Sequence, residues 1–205
     1  MTAAPAAAAA PGRRERAKQE KLRRITEAAG ALFAEHGIDD VTTQQIADAA
    51  DIGTGTLFLY ARSKGELLLL VQNASYTAAL EEARDAVAGE TDPVDAVLAI
   101  ARPVVACNRE HVENGRTYLR EMVFGNPAEP HHARALEIVA DTEGLTADAL
   151  RRTLPGGVSD ADADALARVV SAALFMSMAF GAATGSTTDG ILADVRRQAA
   201  AVLAR

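Results

Sequence analysis

Residues 41–68 read VTTQQIADAADIGTGTLFLYARSKGELL, and this stretch decides the fold. Its apolar spacing predicts a short helix over Thr43–Ala50, for which Thr42 or Thr43 is a good N-cap. A tight turn at Asp51–Gly53 and a second short helix over Thr54–Tyr60 follow. Such a pair has the dimensions of a helix-turn-helix, whose second helix can enter the major groove of DNA. An ordinary helical corner has the same local pattern, so both interpretations remain open on this stretch alone.

Charge is distributed unevenly on either side of that stretch. The chain has a net charge of −7, yet residues 13–24 (RRERAKQEKLRR) hold seven basic and two acidic side chains. Residues 65–205 hold 12 basic and 20 acidic side chains. A basic N-terminal segment before an acidic body predicts a nucleic-acid contact at one end, with a solvated basic face as the alternative. From these residues alone, Arg23 and Arg24 are expected to add phosphate contacts.

The rest of the chain predicts an all-α protein. Hydrophobic residues make up 49% and aromatic residues 4%, and the abundant Ala and Leu favour helix. The helical pattern and its caps predict about nine helices in all. Besides the two short ones they cover Arg14–His36, Lys64–Val87, Asp92–Asn108, Arg109–Val123, Pro130–Leu154, Ser159–Ala183 and Thr188–Leu203. Gly37 is expected to end the first of them in a left-handed conformation.

The segment from Leu32 to Leu67 resembles the TetR family of transcriptional regulators. The matching positions are Thr42, Thr43, Ile46, Ala47, Ala50, Gly55, Thr56, Leu57, Tyr60, Ser63, Lys64 and Leu67. The resemblance covers about residues 18–70 and implies a three-helix DNA-binding domain over 13–63. Residues 1–12 are expected to be a disordered tail, and 64–205 a helical domain for ligand binding and dimerisation. Asp51 stands where the family has Gly, and Asp tolerates the left-handed conformation such a turn needs.

The resemblance also assigns DNA contacts residue by residue. In the second helix it implies DNA contacts by Thr43 and Gln44, and at the start of the long helix a phosphate contact by Lys64. In the third helix it implies DNA contacts by Thr54, Gly55, Thr56, Leu59 and Tyr60. Independently of the family, the amides of Gln44 and Gln45 have the geometry to pair with adenine. Ala61 replaces a core Phe of the family, and we expect Phe58 or Leu59 to fill the volume that this leaves.

The resemblance also implies a ligand pocket and a dimer interface in the helical part beyond position 90. The expected pocket residues are Arg102, Val104, Cys107, His111, Tyr118, Met122, Phe124, Phe175 and Met178. The expected dimer residues are Val170, Ala173, Leu174, Phe180, Ile191 and Val195. The uncharged run Val169–Thr188 is strongly apolar over only part of its length. A buried or dimer-forming helix is therefore a better interpretation of this run than a membrane span.

These observations predict a homodimeric repressor that a small apolar or amphipathic ligand releases from a palindromic operator. A ligand- or partner-dependent co-repressor or activator of the same fold is the alternative, and a helical scaffold without DNA binding is a third possibility. The sequence has no Ser/His/Asp arrangement, Gly-rich phosphate loop or metal-ligand cluster that would indicate an enzyme, a cofactor or a metal site. With Cys107 as its single cysteine, the chain suits a reducing cytoplasm.

Overall fold

The structure, a computed structural model, describes residues 12–204 apart from the side chains of residues 182 and 183. Over this range the chain forms nine α-helices and no strand, which confirms the predicted fold class. The helices are α1 (Arg13–Asp40), α2 (Thr43–Ala49), α3 (Thr54–Leu57), α4 (Lys64–Val87), α5 (Pro93–Arg109), α6 (Val112–Phe124), α7 (Pro130–Thr153), α8 (Asp160–Thr184) and α9 (Thr188–Leu203). The predicted tail lies outside the described residues except for Gly12.

The first three helices pack with the start of α4 around one apolar core. Ile25 and Phe33 of α1 meet Ile46 of α2, Leu57 of α3 and Leu67 of α4, and all five are buried. α2 begins at a capping box, in which Thr42 Oγ1 accepts from Gln45 N and Gln45 Oε1 accepts from Thr42 N. This core fixes α2 and α3 as one rigid corner.

The structure confirms the backbone conformation predicted for Asp51, but only part of the prediction for Gly37. Asp51 has φ 51°, so it takes the positive φ expected of the turn. Gly37 has φ 77° and ψ 159°, which breaks α1 as predicted, but a further turn runs on to Asp40. A Cβ at Gly37 would also lie 3.0 Å from His111 Cε1, so this position is restricted by packing as well as by φ.

The end of α3 and the start of α6 lie at other residues than those predicted. α3 stops at Leu57, and Phe58–Tyr60 continue as a turn in place of the predicted helix. α6 begins at Val112 rather than Arg109, because His111 is its N-cap and its Nδ1 accepts from Asn114 N at 3.4 Å. Neither Phe58, 42% exposed, nor Leu59, 83% exposed, fills the space beside Ala61, so that expectation is wrong.

Helices α4 to α9 form the body of the molecule. α5 packs against α4, α7 and α9, α7 packs against α4 and α8, and α8 pairs with α9. By length and composition alone, Asp160–Gly181 of α8 would suffice to cross a bilayer. The fold accounts for this apolar composition in another way, because one side of α8 is buried against its own chain and a second side lines a cavity.

A single side chain connects the body to the break in α1. Asn114, near the start of α6, is buried. Its Oδ1 accepts from Ile38 N and its Nδ2 donates to Phe33 O, both at 2.8 Å. These are main-chain groups on either side of the break, where the helical hydrogen-bond pattern of α1 is interrupted. Asn114 therefore holds the C-terminal end of α1 against the body.

Candidate nucleic-acid interface and ligand cavity

The corner formed by α2 and α3 presents one accessible face. Leu57 points into the core and is fully buried, so the rest of the α3 segment faces outward. Gly55 and Leu59 are exposed, and Thr54, Thr56 and Tyr60 are half-buried. The five residues predicted for the α3 contact thus lie together on the surface of the corner.

Hydrogen bonds within the corner hold the predicted glutamines in place. Thr54 Oγ1 donates to Gln44 Oε1 at 2.7 Å, and Gln44 Nε2 donates to Asp48 Oδ1 at 2.7 Å. The amide oxygen of Gln45 is used in the cap of α2 instead, which its predicted pairing with adenine did not anticipate. Gln44 joins α2 to the start of α3, and Thr43 lies half-buried beside it.

The three cations predicted to bind phosphate have partners within the chain. Arg23 forms ion pairs with Glu20 and Glu27, both at 2.6 Å. Arg24 lies 3.4 Å from the carboxylate of Asp51. Lys64 Nζ donates to the main-chain oxygens of Asp39 and Val41, at 3.2 and 3.0 Å. Lys64 thereby joins the end of α1 to the start of α4, a structural role that the family resemblance does not imply.

A cavity of about 400 Å³ lies in the body between α4, α5, α6, α7 and α8. Five of the predicted pocket residues line it: Val104, Tyr118, Met122, Phe175 and Met178. The prediction missed further wall residues: Tyr76, Leu119, Ile138, Val139, Thr142, Glu143, Arg168, Ser171, Ala172, Leu174 and Met176. The size and the apolar wall are those of a site for a small organic molecule.

Four predicted pocket residues lie outside the cavity wall. Arg102 is exposed, and Phe124 at the end of α6 is 83% exposed. His111 caps α6 against Gly37, on the side that faces α1. Cys107 is half-buried near the cavity, and burial raises the pKa of its thiol to about 12. Helical phase explains the error at Arg102 and Cys107, since each has a buried neighbour in sequence, whereas Phe124 and His111 lie at the two ends of α6, outside the packed part of the body.

Two stacked tyrosines form one wall of the cavity. The ring centroids of Tyr76 and Tyr118 are 4.3 Å apart with an angle of 17° between the planes. Tyr76 OH accepts from Asn108 Nδ2 at 2.8 Å, and Tyr118 OH donates to Asn73 Oδ1 at 3.0 Å. Burial raises the pKa of both phenols, so both stay protonated across the physiological pH range.

The hydrogen bonds of the tyrosine pair continue to the DNA-binding corner. Asn73 Nδ2 donates to the main-chain oxygen of His131, at 2.9 Å, in the first turn of α7. His131 N donates to Glu66 Oε1 at 2.8 Å, and His131 Nε2 donates to Tyr60 O at 3.0 Å. The cavity wall is therefore linked, through Asn73 and His131, to the turn that follows α3.

The cavity opens between α7 and α8 at a charged rim. Glu143 and Arg168 belong both to its wall and to a neighbouring surface groove that also includes Asp164. Asp164 forms an ion pair with Arg151 at 2.7 Å. An apolar interior with a carboxylate and a guanidinium at its rim suits a ligand with an apolar body and a polar end.

The exposed side of α8 differs from the dimer face that the sequence predicted. Val170, Leu174, Ile191 and Val195 are buried in the chain's own core, so their assignment to the surface of a dimer is corrected. Ala173 is half-buried and Phe180 is 62% exposed, as a partner contact requires. The apolar residues on the outer face are Val169, Ala173, Met176 and Phe180 of α8, with Val202 of α9 beside them.

Comparisons with known proteins match both parts of this arrangement. Residues 25–71 match the family model of bacterial regulatory proteins of the tetR family. A TetR transcriptional regulator from Rhodococcus sp. RHA1 is 18% identical, with 93% of this chain and 98% of that chain covered and a TM-score of 0.67. FadR of Thermus thermophilus, a TetR family repressor solved with lauroyl-CoA, is 22% identical, with coverage of 89% and 93% and a TM-score of 0.70. No curated protein sequence matches the chain.

Proposed function

We propose that this chain is a cytoplasmic repressor of the tetR type, because residues 25–71 match the model of that family and the fold is that of solved TetR transcriptional regulators. It binds a palindromic operator as a homodimer, and a small apolar or amphipathic ligand releases it. The observation that carries this proposal is the cavity wall formed by Tyr76 and Tyr118, which hydrogen bonds join to the corner at Tyr60.

The operator contact is supported by the exposed face of α3. Thr and Tyr hydroxyls reach base edges or phosphates, and a Thr methyl or Leu59 packs on the methyl group of thymine. The bonds among Thr54, Gln44 and Asp48 order these groups before DNA arrives, which lowers the entropy lost on binding. A dimer places two such helices one turn of DNA apart, about 34–36 Å, on a palindrome.

The homodimer is supported by the outer face of α8. Val169, Ala173, Met176 and Phe180 follow one another at spacings of four, three and four residues, which form a single stripe along the helix. Val169, Met176 and Phe180 are 47%, 45% and 62% exposed. With α9 alongside, two copies of this face make a four-helix interface around the stripe.

The chemical class of ligand is supported by the cavity and by a neighbouring structure. The volume of about 400 Å³ lies within the usual range for small-molecule sites. FadR of Thermus thermophilus holds lauroyl-CoA, which combines an apolar chain with a charged end. A ligand of this kind would place its apolar chain against the tyrosines and its polar end at the rim formed by Glu143 and Arg168.

Release follows if the ligand binds better to a form of the protein that does not fit the operator. A ligand that displaces Tyr118 breaks its bond to Asn73, and Asn73 holds the residue that donates to Tyr60. A moved turn at Tyr60 changes the placement of α3. Coupling between two sites usually amounts to a 5- to 150-fold change in affinity, and that is the expected range here.

Binding of the DNA upstream of the protein's own gene tests the proposal by fluorescence anisotropy. We expect sequence-selective binding that lauroyl-CoA or dodecanoate weakens, and Tyr118→Phe to lessen that effect while it preserves operator affinity. Phe keeps the ring stack and the cavity but lacks the hydroxyl that binds Asn73. Absence of selective binding refutes the regulator. Binding that the ligands strengthen favours the co-repressor alternative.

A further inference from the structure

The first turns of α1 extend beyond the core of the DNA-binding domain. Ile25 is fully buried and Leu22 half-buried, but every described residue before Leu22 is exposed. At 1.5 Å per residue, the nine residues from Arg13 to Lys21 project about 14 Å. No buried apolar residue holds this projecting part, so its side chains are available to a partner.

One face of α1 changes from apolar to basic where the helix leaves the core. Arg14, Lys18, Lys21, Ile25 and Ala29 follow one another at spacings of four, three, four and four residues, which place them on one side of the helix. Ile25 and Ala29 are buried in the core that α1 shares with α2, α3 and α4, and the three cations continue the same stripe outward. The side of α1 that faces the corner is thus positively charged beyond it.

This basic face lies beside the end of α3. Arg14, Lys18 and Lys21 border one surface groove together with Leu59 and Tyr60. Tyr60 OH donates to Lys18 O at 3.5 Å, so the start of α1 is placed next to the residues expected to reach DNA. None of the three cations forms an ion pair among the residues that the structure describes.

On the opposite face of α1, part of the positive charge is paired within the chain. Arg23 lies there with Glu20 and Glu27, and forms ion pairs with both. Arg16 points the same way, half a turn from Lys18 and Lys21. The face beside α3 therefore carries three cations that form no ion pair among the described residues, and this charge complements a polyanion.

We propose that Arg14, Lys18 and Lys21 form a second DNA-contact surface, which binds backbone phosphates next to the bases that α3 reaches. This inference rests on the proposed DNA-binding function. The projecting 14 Å corresponds to about four base pairs at 3.4 Å each, so the contact lengthens the footprint at each half-site. Phosphate contacts of this kind add affinity and fix position without reading sequence.

Two double variants with the same change in charge test this surface. Lys18→Ala with Lys21→Ala removes two cations from the face beside α3, and Arg13→Ala with Arg16→Ala removes two cations of the same segment that lie away from that face. Each purified variant is titrated into a fluorescein-labelled random-sequence duplex of about 30 base pairs, at several salt concentrations between about 50 and 200 mM. Circular dichroism and thermal unfolding check that both remain folded, which exposed positions should allow.

The expected difference between the variants follows from counterion release. Each lost phosphate contact lowers the slope of log K against log[salt] by about 0.9, so the lysine variant loses about 1.8 per bound protomer. At about 0.1 M salt its affinity falls at least tenfold, whereas the arginine variant stays within about twofold of the wild type. Equal slopes for the two variants overturn the inference. If the wild type binds no duplex, the proposed function itself fails.

Discussion

Replacement of Asn114 by Ala tests how the DNA-binding domain is attached to the body. The amide of Asn114 is the partner of Ile38 N and Phe33 O, in a site where Asn114 is only 3% exposed. Each buried main-chain group left without a partner costs about 1–3 kcal/mol. Asn114→Ala therefore lowers the free energy of unfolding by about 2–6 kcal/mol, a large share of the usual total of about 5–15.

Urea denaturation followed by circular dichroism measures this loss, with Asn126→Ala as the matched control. Asn126 is exposed, and its Oδ1 accepts only from Ala128 N in a turn, where water can replace it. The control should change stability by less than about 0.5 kcal/mol. At a temperature where Asn114→Ala is still folded, we also expect weaker binding to duplex DNA, because α1 loses its fixed angle to α6. An Asn114→Ala protein as stable as the control would refute the argument.

Three further outcomes are expected from the dimer face, the cavity and the buried thiol. Phe180→Asp places a charge on the stripe of α8 and should give a monomer in light scattering, whereas Phe124→Asp, at a still more exposed site on α6, should leave the dimer intact. Ala172→Trp narrows the cavity and should abolish the fluorescence gain of N-phenyl-1-naphthylamine; a full gain would place that probe elsewhere. The folded thiol of Cys107 has a pKa raised to about 12, against about 8.5 unfolded. The stability that the buried, protonated thiol contributes is fully present below about pH 8.5 and is lost as the pH rises towards 12. Cys107→Ala should therefore flatten this part of the curve of unfolding free energy against pH, and an unchanged curve would contradict the prediction.

Local patterns made the DNA-binding corner predictable. The turn, its positive φ at Asp51 and the cap at Thr42 depend on residues within four positions of one another. The capping role of Gln45 could also be predicted from the sequence, because Thr42 and Gln45 have the spacing of a capping box. Lys64 is different: its partners Asp39 and Val41 lie more than 20 positions away, and only the folded chain brings them together.

The cavity and the dimer face were predicted less well, for two physical reasons. The tyrosine pair depends on Asn73 and Asn108, whose bonds to the rings span 45 and 32 positions. Between Val169 and Gly181 of α8 the only polar side chains are those of Ser171 and Ser177, so no charged residue marks which side of this part faces solvent. The prediction chose Val170 and Leu174, one position away from the exposed Val169 and from Ala173, because a rotation of 100° per residue separates core from surface.

Met176 links the ligand cavity to the dimer face within one residue. It lines the cavity and is also 45% exposed on the stripe that two copies would share. A ligand that moves Met176 therefore alters the surface seen by the partner, and pairing of the two stripes alters the cavity wall. Thermodynamic linkage makes this effect reciprocal: if the ligand changes the dimer dissociation constant by some factor, dimerisation changes ligand affinity by the same factor. Met176→Leu, which keeps the volume but stiffens the side chain, should reduce that factor, and identical factors in variant and wild type would show that the route lies elsewhere.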